Sequence, residues 1–325
     1  MYHAAYPDFV GSEDKVSAAR IRSFERLAGK RLAWVYFSDN WMDRIRFPAR
    51  NVRIIHEAGR VPFVRLMARS TWRSGGPDPL YTMDRILDGE FDVELTAWFE
   101  DARDAGVSLL VEFGTEVDGD WFPWNGRWNG GGVTTGYGDP ALADGPERFR
   151  DAYRHLVDLA RTAGAHDLTW FFHVNGDSWR REAWNVPAAY YPGDDYVDWI
   201  GVSIYGNQAP GEYYGGFRRL LDRVYPRLCA LSPDKPLAVL EWGISQRPGR
   251  GTKAGWIRDA LRALRSGRWS RIKAASYWHE DWPEADGSVT DLRIDSSRGA
   301  ARAYRRGVAP RFFTARPVWL TQRHR

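Results

Sequence analysis

Apolar runs of strand length recur along this chain, and most are followed by a stretch with helical periodicity. Seven such runs occupy residues 31–37, 61–67, 108–113, 168–174, 197–205, 237–241 and 272–278, and a shorter one at 2–6 makes eight. The stretches between them carry helix punctuation. Ser12 reads as the cap of a helix with Val16, Ala19, Phe24 and Leu27 on one stripe, stopped by Gly29. Pro146 stands near the first turn of a helix bearing Phe149, Tyr153, Leu156 and Ala160, ended by Gly164. Thr252 opens another with Ile257, Leu261 and Leu264, ended by Gly267. Residues 217–231 form a further helix, in which Pro226 predicts a kink or a break.

Strands alternating with helices predict a parallel sheet covered by helices, an α/β fold. Eight repeats favour a closed (β/α)8 TIM barrel over an open sheet, and no Gly-rich dinucleotide fingerprint follows the early strands. The expected organisation is a single domain over residues 1–325, with a short basic tail from about residue 310. Long segments rich in Gly, Trp and Asp follow several strands, at 68–79, 116–145, 175–195, 206–216 and 278–291. In a barrel these loops build the active-site face, so acids and tryptophans far apart in sequence converge there.

Composition sharpens this picture mainly through its aromatic residues. There are 17 Trp, 15 Tyr and 15 Phe, and Trp41, Trp72, Trp121, Trp124, Trp128, Trp179, Trp184 and Trp282 fall in polar loops where core packing explains them poorly. Flat amphipathic rings of this kind suit the faces of sugars. The net charge is +4, and 41 of the 46 basic residues are Arg, interspersed with 42 acids. That mixture predicts a salt-bridged surface and no nucleic-acid footprint. Cys229 is the single cysteine, which excludes an intrachain disulfide and a thiol-rich metal site. No run has the apolar length of a membrane span, and the first residues are not a secretory signal. The expected location is therefore extracellular if a leader has been removed and cytoplasmic otherwise.

The candidate chemistry rests on two strand ends. Glu116 follows one apolar run and opens Glu116-Val117-Asp118-Gly119-Asp120-Trp121-Phe122-Pro123-Trp124, and Glu241 closes Leu237-Ala238-Val239-Leu240-Glu241. By strand alternation Leu237, Val239 and Glu241 share one face, inward in a barrel. Two carboxyls beside aromatic rings are what cleavage of a glycosidic bond requires. The plainer reading of either residue alone is a buried structural ion pair. Glu112, four residues before Glu116, either raises the pKa of Glu116 or pairs with an Arg such as Arg65, and the second reading is preferred. His173 either contacts substrate hydroxyls or is a satisfied core histidine. Asp118, Asp120, Asp139 and Asp144 read as turn caps in preference to a calcium site, no metal-ligand spacing of His is present, and no cofactor is implied. Basic residues from Arg302 to the end, among them Arg305, Arg306, Arg311, Arg316, Arg323 and Arg325, read as a solvated helix and terminus, with attraction to an anionic polymer or surface as the alternative.

The segment from Glu116 to Trp124 resembles the acid/base segment of glycoside hydrolase family 26, which reads approximately His-Glu-Met-Asn-Gly-x-Trp-x-x-Trp. Lys235-Pro236 through Glu241-Trp242-Gly243 resembles that family's nucleophile strand, and the run from Tyr191-Pro192 to Ser203-Ile204-Tyr205 resembles the strand between. The resemblance implies a retaining (β/α)8 glycosidase of the β-mannanase-like kind, acting on a mannan- or glucan-like polysaccharide or oligosaccharide. Glu116 would be the acid/base, Glu241 the nucleophile and Tyr205 the group that orients it. Trp121 would line the site and Trp278 would lie under the reacting sugar, with Trp124, Trp242, His173 and Asp118 as further substrate contacts. The chain departs from the pattern at Thr115 in place of His, at Asp118 in place of Asn, and at Ser203 where an Asp or similar group is expected, all positions that help to hold the sugar in the family. An exopolysaccharide-specific hydrolase or transglycosylase, and a non-catalytic carbohydrate-binding barrel, are the alternatives.

Overall fold

A computed structural model describes residues 1–209, 212, 215–246, 252–284 and 286–319. Eight parallel strands form a closed barrel in sequence order: β1 Tyr2–Tyr6, β2 Trp34–Asn40, β3 Val61–Met67, β4 Leu109–Phe113, β5 Leu168–Asn175, β6 Trp199–Tyr205, β7 Leu237–Gly243 and β8 Ile272–Trp278. Closure is made by β1, which pairs with β2 at Ala5↔Val35 and with β8 from Tyr2↔Ala274 to Tyr6↔Trp278. A small hairpin, β9 Asp281–Pro283 and β10 Val289–Asp291, rises from the end of β8.

The barrel is wrapped by α1 Ala18–Ala28, α2 Ala49–Glu57, α3 Met83–Leu87, α4 Asp92–Asp104, α5 Asp144–Thr162, α6 Pro187–Tyr190, α7 Phe217–Leu231, α8 Lys253–Leu264 and α9 Arg298–Val308. Several predicted boundaries are met: Gly29 ends α1 in the left-handed region at φ 65°, and Thr252 caps α8 by accepting from the Gly255 N–H. Others differ. The cap of α1 is Ser17, not Ser12, and the second strand lies three residues later than its apolar run suggests. α7 runs unbroken through Pro226, whose ring is on the exposed side of the helix. Beyond α9 the chain returns to β1, where the Thr314 carbonyl accepts from the His3 N–H. Arg323 and Arg325 of the expected tail lie outside the described residues.

A β-bulge changes the face argument for β7. Pairing with β6 passes from Val202↔Val239 to Ser203↔Glu241, so Leu240 is an extra residue and strict alternation from Leu237 to Glu241 is broken. The neighbouring position on β6 is glycine for a steric reason: a Cβ on Gly201 would stand 2.2 Å from Leu240 Cδ1.

Candidate active site

A cleft of about 790 Å³ opens at the C-terminal ends of the strands and is lined by both Glu116 and Glu241. Glu116 lies three residues beyond β4, after Gly114, and holds a left-handed backbone at φ 48°. A non-glycine residue there carries strain on the order of 1 kcal/mol or more, which the surrounding structure must impose. Trp121 Nε1 donates to Glu116 Oε2 at 2.8 Å, and the nearby Ser203 hydroxyl also favours its ionised form.

Glu241 is served differently. Tyr205, the last residue of β6, donates its hydroxyl to Oε2 at 2.8 Å. Oε1 is buried without a hydrogen-bond partner and faces Arg65 Nη2 at 3.6 Å. Arg65 projects from β3, where it pairs in register with Glu112, and its side chain is only 4% exposed. Its guanidinium reaches Glu112 at 3.4 Å and Glu13 at 3.2 Å, and lies 5.0 Å from the centre of the Trp278 ring. One cation thus serves three carboxylates and an aromatic face.

Burial raises the pKa of both catalytic candidates. For Glu241 burial is the largest cause, Arg65 opposes it and Glu116 adds to it, giving about 7. For Glu116 burial again dominates, opposed by Ser203, Arg65 and Trp121. A nearby like charge disfavours ionisation, and Glu116 adds to the rise at Glu241 in this way. Glu241 accepts from Tyr205 and faces Arg65 directly, contacts that favour its ionised form.

Beneath this pair lies a polar network. His173 of β5 meets Glu112 at 3.0 Å and Thr115 at 2.9 Å through Nδ1, and Ser203 at 3.0 Å through Nε2. Tyr36 donates to Glu112. Burial opposes ionisation of Glu112, but His173, Arg65 and Tyr36 outweigh it and hold its pKa below the usual value. Glu112 is therefore the ion-pair partner of Arg65 that braces the barrel.

Four expected sugar contacts are placed elsewhere. His173 is fully buried in that network. Asp118 is also buried, and its carboxylate accepts from the Asn175 N–H and the Ser178 hydroxyl, both at 2.7 Å, tying the β4 loop to the β5 loop. Trp124 is wholly buried, stacked on Phe122 and donating to the Thr115 carbonyl. Trp242 points into the helical layer, against Tyr277 at 4.8 Å and Trp256 at 6.1 Å. Thr115 and Ser203, where the chain departs from the family pattern, are buried as well. Trp41, although in a loop, packs against Tyr81 and Phe113.

Trp121 and Trp278 do line the cleft, joined by Trp72 and Trp282 from the aromatic loops. Further lining residues carried little signal: Glu13, Arg69 and Glu280. Trp278 Nε1 donates to Glu280 at 2.9 Å, and Tyr6 stacks on the Trp278 ring at 4.3 Å. Arg65 was legible as a candidate partner of Glu112, although not as the partner of Glu241. The four loop aspartates do not converge, and among the described residues no group of three or more His, Cys, Asp or Glu is placed to hold a metal.

Residues 83–230 match the model of glycosyl hydrolase family 26. That stretch, a little under half of the chain, is similar to the family. The matched stretch contains Glu116 and Tyr205 but ends before Glu241. Among curated proteins, endoglucanase H of Acetivibrio thermocellus is 28% identical over 303 residues, covering 92% of this chain and 30% of that protein, so the chain spans under a third of that relative's length. Among solved structures, the catalytic domain of the family 26 endo-β-1,4-mannanase of Bacillus sp. JAMB-750 matches at a TM-score of 0.67 with 15% identity, covering 97% of this chain and 87% of that one. The β-mannanase from a symbiotic protist of the termite Reticulitermes speratus, solved with a gluco-manno-oligosaccharide, matches at 0.62 with 16% identity over 98% and 90%. At such identities the structural matches speak for the fold.

Proposed function

We propose that this chain is a retaining β-glycoside hydrolase of the family 26 kind, acting on a β-linked polysaccharide or oligosaccharide of the glucan or mannan kind. The observation that carries the reading is the unequal treatment of two buried carboxyls in one cleft. Glu241 has a hydroxyl donor, a facing guanidinium and one oxygen free of hydrogen bonds, as a nucleophile needs. Glu116 has an indole donor and the environment of an acid that keeps its proton.

In the first step a Glu241 oxygen bonds to the anomeric carbon while the bond from that carbon to the leaving oxygen breaks, and Glu116 gives its proton to that oxygen. In the second, ionised Glu116 takes a proton from water, the water oxygen bonds to the anomeric carbon, and Glu241 departs with its electron pair. Retention calls for carboxyls about 5–5.5 Å apart. The glucan or mannan assignment is supported by the endoglucanase and mannanase relatives. Because Thr115, Asp118 and Ser203 are buried, discrimination between sugars falls to the cleft walls, Arg69, Trp72, Trp282 and Glu280.

The test is a fluorinated glycosyl donor followed by peptide mass spectrometry, alongside a panel of glucans, mannans and xylans scored by product size. Label on the peptide containing Glu241 is expected. Turnover without label there would remove Glu241 from its role, and binding without any turnover would make the chain a carbohydrate-binding barrel.

A further inference from the structure

Several arginines are matched by acids, among them Arg85 by Glu90, Arg150 by Glu147 and Arg268 by Asp222. The groove between α8 and α9 gathers arginines without such partners. Its walls are Arg258, Arg262 and Arg265 from α8 and Arg302 and Arg306 from α9, all exposed. Arg258 has Asp259 at 3.8 Å, and among the described residues the other four make no ion pair. Five like charges held side by side repel one another, and such an arrangement relaxes when a polyanion enters.

The spacing follows helix geometry. Positions 258, 262 and 265 fall on one side of α8, and 302 and 306 on one side of α9, so successive guanidiniums advance by about one turn, ~5.4 Å. Between the two rows the floor is made of Ala254, Gly299, Ala303 and Gly307. These residues are small because the helices touch there: a Cβ on Gly307 would lie 2.3 Å from Leu261 Cδ1, and one on Gly299 would lie 3.5 Å from the Ala254 methyl. The result is a trough of about 520 Å³ with a shallow apolar floor and cationic rims.

We propose that this trough is a second, non-catalytic binding site for an anionic polysaccharide, a glycan bearing carboxylates at regular intervals. The guanidinium fork matches a carboxylate with two parallel hydrogen bonds, and the small-residue floor lets sugar rings lie close to the helices. Other polyanions fit less well. None of the exposed large apolar side chains lines the trough, so an anionic membrane has nothing to anchor. No aromatic ring lines it either, so the bases of a single-stranded nucleic acid have nothing to stack on. The site is on the outer helical layer, away from the cleft, and does not depend on the proposed hydrolysis.

The experiment is affinity electrophoresis of the full chain through gels containing polygalacturonate, with neutral β-glucan gels, duplex DNA and phosphatidylserine vesicles as the other arms. Retardation by polygalacturonate is expected, weakening as sodium chloride is added. The combined variant R262Q/R265Q/R302Q/R306Q loses at least tenfold in affinity with unchanged circular dichroism and unchanged turnover of a short neutral oligosaccharide. The smaller pair R302Q/R306Q weakens binding several-fold and guards against misfolding of the larger set. Absence of retardation, a folded variant retarded as strongly as the parent, or tighter binding of DNA or vesicles through these same arginines would each overturn the proposal.

Discussion

At the scale of single residues, two chemically identical side chains are told apart by their donors. The Tyr205 hydroxyl and Arg65 both favour the ionised form of Glu241, so Tyr205→Phe removes a hydrogen bond to a charged group, worth about 1.5–3 kcal/mol. The expected outcome is a roughly 10–100-fold fall in kcat/KM, and a change under threefold would mean that Tyr205 does not hold the nucleophile. The two limbs of the pH profile separate the roles further. Arg65 lowers the pKa of Glu241, and a nucleophile must be ionised, so Arg65→Lys, which keeps the charge but loses the fork, moves the acidic limb to higher pH. Trp121 lowers the pKa of Glu116, and a proton donor must stay protonated, so Trp121→Phe moves the basic limb to higher pH. If each substitution shifted the opposite limb, the assignments would have to be exchanged. Both glutamates are legible in the sequence because each stands at or just beyond the end of an apolar run, and Tyr205 through the family resemblance. Glu13 and Glu280 are not, since no periodicity marks a loop residue for a cleft. Asp118 and Trp124 mislead for a related reason: a polar or aromatic loop residue reads as exposed, yet these loops are packed layers in which Asp118 holds the Asn175 N–H and Trp124 the Thr115 carbonyl.

At the scale of elements, the strand order was readable because a parallel strand buried on both faces is a continuous apolar run. What could not be read is the bulge at Leu240, since an extra residue changes no composition and shows only when β6 and β7 are paired. α2 and α4 carry no cap side chain that hydrogen-bonds their first turn, so no cap residue marks their starts. α7 offers a test of local against tertiary preference. Pro226 sits inside the helix on its exposed side, where the helix continues because Phe217, Leu221, Val224 and Leu228 are buried against the barrel. Restoring an N–H with Pro226→Ala recovers up to ~3 kcal/mol of interior helix propensity, less about 0.4–1 kcal/mol from the freer unfolded chain. Chemical denaturation should therefore show the variant to be more stable by about 2 kcal/mol. A destabilised variant would show that the proline is suited to its place in α7.

At the scale of the whole molecule, closing eight strands brings charged groups from β3, β4 and β7 together in one low-dielectric interior, and the fold's stability takes on a pH dependence from them. Glu280, just beyond β8, shows the sign most simply. Burial, with Glu13 and Asp8 nearby and with Trp278 and Arg65 opposing, raises its pKa to about 8. A carboxyl whose folded value lies above its unfolded value of about 4.3 binds its proton more tightly in the folded chain. Its contribution to stability is complete below the unfolded value and is lost as pH rises through the folded one. Glu280→Gln presents nearly the same shape without a proton to lose. The stability difference, variant minus parent, should therefore grow in the variant's favour from pH 5 to pH 8 and level off above that. The measurement is the urea midpoint of both proteins at several pH values. A difference that stays constant across this range would show that Glu280 is ionised in the folded barrel, and that the hydrogen bond from Trp278 Nε1 is made to a carboxylate from pH 5 upward.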